Sequence, residues 1–199
     1  MKVKIKKEGK VKEFKLISSW EEVTLEKWLQ LIDFETGTKT EEATETIAAL
    51  SDIPKQLVKE LALSDVAVIM SKVGELQSKQ DTKLKRIIEI NDIEYGFHPD
   101  LDSISLGEYA DIEQFIKNGI ESNLPSLMAV LYRPIKEKKN DIYIIDAYDG
   151  DIRMRTEEMK QMSAEQVQSA LVFFYTLGKV LSEIMPSYLM EKLQEMKTQ

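Results

Sequence analysis

SISLGEYADIEQFI, residues 103–116, decides the fold because the chain says nearly the same thing twice. The earlier stretch EEVTLEKWLQLI, residues 21–32, carries Thr24, Leu25 and Trp28 where the later one carries Ser105, Leu106 and Tyr109, and each pair lies 81 positions apart. Ser105 and Glu108 have the spacing of a capping box, in which hydroxyl and carboxylate satisfy each other's exposed backbone donors at a helix start. Tyr109, Ile112, Phe115 and Ile116 then supply an apolar stripe at helical spacing. Thr24 takes the N-cap place in the earlier copy, followed by Leu25, Trp28, Leu29, Leu31 and Ile32.

The same shift organises what surrounds these helices. Before the first lies KVKIKKEGKVKEFKLI, residues 2–17, in which Val3 and Ile5 alternate with lysines and resume as Val11, Phe14 and Leu16 after a turn, the pattern of a β-hairpin. Before the second lies RIIEINDIEYGF, residues 86–97, two strands around Asn91-Asp92. Tyr95 falls on Phe14, MAVL (128–131) on IAAL (47–50), and Pro134 one position from the partner of Pro54. The reading is an internal pseudo-repeat of hairpin, capped helix, polar spacer, short apolar helix and proline stop. Its units span residues 1–80 and 81–199, packed as one body, since one hairpin with two short helices has too little apolar surface to fold alone.

Further helices fit residues 55–61 and 65–77, and a strand fits Ile142 to Ile145. Ser163 with Gln166 opens a long C-terminal amphipathic helix carrying Val167, Ala170, Leu171, Phe174, Leu177, Leu181 and Ile184, which Pro186 ends. The fold class is therefore α+β and predominantly α-helical, with two short antiparallel hairpins each followed by helices.

Composition narrows the role. A hydrophobic content of 43% in 199 residues suffices for a packed core. The formal net charge of −8 opposes attraction to nucleic-acid phosphates and anionic lipid. Residues 1–15 run against this trend with seven lysines and two glutamates, a net of +5 that leaves −13 for the rest. Lysines on an edge hairpin discourage sheet aggregation, and they also suit docking on an acidic surface, a second copy included. With no cysteine, no apolar leader and no apolar run near about 18 residues, the sequence predicts neither export by a signal peptide nor a membrane span.

Tests for chemistry return little. One histidine and no cysteine leave no typical zinc site, and His98, before Pro99, reads as an ordinary loop residue. No GxSxG elbow accompanies it, and the eight scattered glycines form no phosphate loop. Asp141, Asp146, Asp149 and Asp151 are the densest carboxylates, able to attract a divalent cation yet outside the calcium-loop pattern, so they read first as a solvated loop. LYRPIKEKK, residues 131–139, likewise reads as a solvated loop after a helix. No catalytic residue, cofactor or metal ligand is assigned.

The order SWEEVTLEKWLQL (19–31), IAALSDIP (47–54), LVKELALSDVAVI (57–69), SLGEYADIEQF (105–115), LMAVLYRPI (127–135) and ALVFFYTLG (170–178) resembles small proteins encoded among the structural and assembly genes of tailed bacteriophages, including tail or baseplate assembly chaperone-like proteins. The resemblance implies a non-enzymatic virion component or assembly factor, made in the cytoplasm of an infected bacterium, with phage structural proteins or further copies of itself as partners. It brings no catalytic residues. Within that role Tyr132 and Arg133 are interface candidates, because such side chains are enriched at binding hot spots. Trp20, just ahead of the first capped helix, is a third, with a hydrophobic-staple role as its alternative. Two other classes stay open: an acidic, DNA-mimicking inhibitor of a host protein, and a metal enzyme built on the 141–151 carboxylates.

Overall fold

The computed structural model describes residues 1–7, 10–33, 38–77 and 83–171. It is α+β, with helix outweighing strand by 53% to 22%. The first unit opens with strands β1 (Lys2–Lys7) and β2 (Lys10–Lys15), an antiparallel pair that turns Val3, Ile5 and Phe14 inward. A short 3-10 turn, Trp20–Glu22, leads into α1 (Leu25–Asp33), whose Lys27 N–H donates to Thr24 Oγ1 at 3.3 Å. Three helices follow: α2 (Lys39–Leu50), α3 (Lys55–Val58) and α4 (Leu63–Gln77).

The second unit starts with β3 (Ile87–Ile90) and β4 (Ile93–Phe97), joined at Asn91 and Asp92 with φ of 51° and 63°. These left-handed angles at both turn residues match the twist of a tight hairpin, and Asn and Asp tolerate them better than most residues. A 3-10 turn, Leu101–Ser103, then α5 (Leu106–Lys117) and α6 (Ile120–Leu131) continue the chain. β5 (Tyr132–Lys139) returns beside β4, β6 (Ile142–Ile145) pairs with β5, and the sheet order is β3-β4-β5-β6, antiparallel throughout. α7 (Arg153–Met159) and helical residues 164–171 close the described chain.

The shift of 81 residues reproduces the architecture. It carries the first 3-10 turn onto the second, the start of α1 onto that of α5, and both ends of α2 onto both ends of α6. It also carries single bonds: Ile17 N–H donates to Leu50 C=O at 3.0 Å, and its counterpart His98 N–H donates to Leu131 C=O at 2.7 Å. The isolated Leu16–Ser51 bridge maps onto the Phe97–Tyr132 pair between β4 and β5. Leu16, Leu50, Phe97 and Leu131 are each at most 1% exposed, so the repeated bond sits on a repeated apolar seat. The units then diverge: after α2 the first continues with helices, whereas after α6 the second adds two strands.

Two cores result, and they interlock. Ile5, Leu16, Trp20, Ile47, Leu50 and Ile69 belong to one, which also takes in Ala164 from the second unit. Phe97, Leu124, Met128, Tyr132 and Val167 belong to the other, which takes in Leu25 from the first unit; Trp28 packs against both.

Three local expectations are corrected. The polar spacer before IAAL is the first half of α2: Thr38 and Glu41 form a full capping box, with Thr38 N–H donating to Glu41 Oε2 at 3.1 Å. Its counterpart in the second unit is also helix, since α6 runs through Pro125, whose missing N–H removes one ladder bond without ending the helix. LYRPIKEKK is strand β5, because Tyr132–Pro134 fill the open side of β4 and only the following lysine-rich half faces solvent. Residues 164–171 are helical, as expected for the start of the C-terminal helix; its length, Pro186 and the last helix lie outside the described residues.

Candidate interaction surface

Helix α5 has two faces with opposite characters, and the sequence places both from its cap. Ser105 Oγ accepts from Glu108 N–H at 3.3 Å, and Glu108 Oε2 accepts from Ser105 N–H at 2.7 Å. The capping box thereby turns Glu108 inward, where it is 3% exposed. Its other oxygen, Oε1, lies 2.7 Å from Nη2 of Arg133, which β5 delivers from beside β4 and which is 4% exposed. A buried, mutually neutralising pair of this kind is costly to break by removing one partner.

Around this pair the polar groups continue. His98, buried after β4, brings Nε2 to 3.5 Å from Glu108 Oε1. Burial outweighs the pull of that carboxylate and lowers the imidazole pKa below its usual 6.5, so His98 is neutral at pH 7 and makes no ion pair there. Burial pushes the Glu108 carboxyl upward, but the two Ser105 hydrogen bonds and Arg133 outweigh it and hold it below the usual carboxylate value. The Arg133 guanidinium lies 5.8 Å from the centre of the Tyr148 ring, and the Tyr148 hydroxyl donates to Asp111 on the next turn of α5. Arg155, on α7, donates from Nε to Ala129 C=O at 3.2 Å and points Nη2 toward Asp149 at 3.6 Å. The cluster ties α5 to β4, β5 and the 146–151 segment. At its centre Glu108, Arg133 and His98 are buried, so these three position neighbouring groups and present none to solvent.

The outer face of α5 is open, and exposed apolar side chains stand on it beside the Glu113–Lys117 ion pair at 3.1 Å. Leu106 is 84% exposed, Tyr109 42% and Ile116 39%, on one stripe at intervals of three and seven residues. The counterparts of Leu106 and Tyr109 in α1 are covered: Leu25 is fully buried, and Trp28 packs against both cores. A second apolar exposure lies on edge strand β6, at Ile142 and Ile144.

The three interface candidates from the sequence lie in the interior instead. Tyr132 is fully buried, edge-on to Phe97 with ring centres 5.1 Å apart, and its hydroxyl donates to Lys85 C=O at 2.8 Å. Arg133 is spent on Glu108, and Trp20 is part of the first core. The aromatic and cationic character that suits a partner surface is used here for internal packing, because the β4–β5 pairing draws both Tyr132 and Arg133 inward.

The acidic loop does not converge. Asp146 pairs with Lys136, Asp149 faces Arg155 and Asp151 pairs with Arg153, and among the described residues no group of three or more His, Cys, Asp or Glu is arranged to hold a metal ion. Among those residues, too, no helix is long and apolar enough to cross a membrane. Comparison with protein-family models, with curated proteins and with solved structures finds no match.

Sequence reasoning found the Ser105–Glu108 cap but not what the cap aims at. The available signal was its register: a glutamate at the third helical position, one residue before Tyr109, lies off the apolar stripe and faces whatever packs beneath the first turn.

Proposed function

We propose that this chain is a non-enzymatic interaction protein of a tailed bacteriophage, acting in virion assembly as a structural component or as a tail or baseplate assembly chaperone, and that it docks through the outer face of α5. The observation that carries the reading is the Leu106–Tyr109–Ile116 stripe, held open on a helix whose inner side is locked by Glu108 and Arg133. A rigid helix presenting aligned apolar side chains loses little conformational entropy on binding. Covering Leu106 alone is worth roughly 1.5–3 kcal/mol. The resemblance of the order of apolar segments to phage assembly proteins suggests the biological setting, in the virion or the host cytoplasm.

The test pairs mass spectrometry of purified particles with capture from infected-cell lysate, using the wild-type chain and a Leu106→Glu variant. Glutamate in the first turn of a helix is compatible with the helix dipole, so the variant should fold. Presence in particles, or capture of a tail, baseplate or capsid subunit that is lost with Leu106→Glu, is the expected result. A chain absent from particles that captures no phage subunit would overturn the reading. Capture of a host DNA-binding protein, abolished by raised salt and indifferent to Leu106→Glu, would replace it with the acidic inhibitor.

A further inference from the structure

At the start of α1 the chain pairs with itself in a way that the start of α5 does not. Residues 160–164 pass beside Val23–Glu26: Leu25 N–H donates to Met162 C=O at 2.7 Å, Glu26 N–H to Lys160 C=O at 3.1 Å, and Ala164 N–H to Val23 C=O at 2.7 Å. Thr24 and Ser163 form the antiparallel bridge at the centre. The passing segment then turns into helix through its own cap, Ser163 N–H to Gln166 Oε1 at 3.1 Å and Gln166 N–H to Ser163 Oγ at 3.3 Å. Leu25, Met162 and Ala164 are all fully buried by this arrangement.

Shifted by 81, the corresponding groups at α5 are Ile104 C=O, Leu106 N–H and Gly107 N–H. Among the described residues none of the three has a hydrogen-bond partner, and Leu106 stands in solvent where Leu25 is covered. Gly107 replaces Glu26 at the second helical position, so no side chain shields its N–H. The ring of Tyr148 is the nearest neighbour, 3.9 Å from where a Cβ would lie, and forms one wall. The same backbone edge is therefore present in both units, filled in one and without a partner among the described residues in the other.

We propose that the Ile104–Gly107 edge with Leu106 and Tyr109 is a docking site for a protein segment of the same chemistry as residues 160–167. Such a segment runs antiparallel for two or three extended residues, carries an apolar side chain immediately before a Ser or Thr helix cap, and continues as a helix with Gln or Glu three residues after the cap. The occupant belongs to another protein and not to a second copy, because each copy already spends its own 160–164 segment on Val23–Glu26. The inference rests on α5 as the docking element and names what that element takes.

The probe is a synthetic peptide of residues 158–171, added to the isotopically labelled full chain and followed by amide chemical shifts. Saturable shifts confined to Ile104–Tyr109 are expected, weakened about tenfold or more by Leu106→Glu in the protein and by Met162→Asp in the peptide. No shift there up to about 1 mM peptide, or shifts only at Val23–Glu26 as the peptide displaces its own counterpart, overturns the proposal. Lysate capture separates the two levels. A phage partner that still depends on Leu106, with no peptide binding, leaves the docking helix standing and removes this partner chemistry. A partner indifferent to Leu106 removes both.

Discussion

Replacing Glu108 with glutamine isolates the buried charge pair from everything else the residue does. Glutamine keeps an acceptor oxygen for Ser105 N–H, so the cap of α5 is preserved. What disappears is the negative charge 2.7 Å from Arg133, leaving a guanidinium that is only 4% exposed without a counter-ion. Removing one partner of such a pair costs about 3–5 kcal/mol, which for a chain of this size lowers Tm by roughly 6–20 °C. Urea unfolding followed by far-UV circular dichroism reads the loss as a lower midpoint at unchanged slope. Arg133→Met in the same background should recover much of it, because the stranded cation is then gone. The sign with pH follows from the lowered Glu108 pKa: its contribution is fully present above the unfolded-state value of 4.5 and is lost as pH falls through the folded value. Glu108→Gln should therefore flatten the acid limb of the stability profile. A variant within about 0.5 kcal/mol of wild type at pH 7 would refute the reasoning, since an unpaired buried guanidinium does not come at so small a cost.

His98 gives a second acid-side effect with the same sign at higher pH. Its folded pKa lies below 6.5, so stability is full above 6.5 and falls as pH drops through the folded value; His98→Gln should remove the part of the slope that sets in below 6.5, read from urea midpoints on either side of it. The paired positions Leu25 and Leu106 should separate cleanly under thermal unfolding: Leu25→Ala should cost about 2–5 kcal/mol, and Leu106→Ala less than about 0.5. Equal losses would contradict the burial difference. At Gly96 an added Cβ would lie 2.4 Å and 2.6 Å from ring atoms of Tyr143, whose hydroxyl donates to Phe97 C=O at 2.7 Å. Gly96→Ala should destabilise by about 1–3 kcal/mol, with a double variant Gly96→Ala/Tyr143→Ala losing less than the sum of its parts.

Much of the fold could be read from the chain because its strongest signals are local. Asn91-Asp92 between alternating apolar residues reports a tight hairpin, Ser105 with Glu108 reports a helix start, and Ile142–Ile145 reports a strand, all within a few residues. The 81-residue shift extended those local signals to the architecture. Errors arose where a local rule met a tertiary override. The polar spacer before IAAL reads as a break, yet it is the capped first half of α2, with Thr44 buried beside Ile47. The lysines of β5 read as a loop, though its first three residues are a strand fixed by β4. His98 read as an ordinary loop residue because nothing in sequence places Glu108 beside it. Arg133 read as a surface cation for the same reason: its partner lies 25 positions away, and only the packing of α5 against the sheet brings them together. The open face of α5 was invisible as such, since Leu106 and Leu25 both follow a hydroxyl cap residue at the start of a helix and have opposite fates in the fold.

The exchange of Leu25 and Ala164 between the two cores bears on how separable the two repeated units are. Each unit's interior is finished by a residue from the other, so neither is a module that recombination could excise, transplant or multiply. A third unit could not simply be appended, because the segment that seals α1 comes from the end of the second unit and would have to be supplied again. The chain is in this sense a closed pair, with Leu25 and Ala164 each seated in the other unit's core.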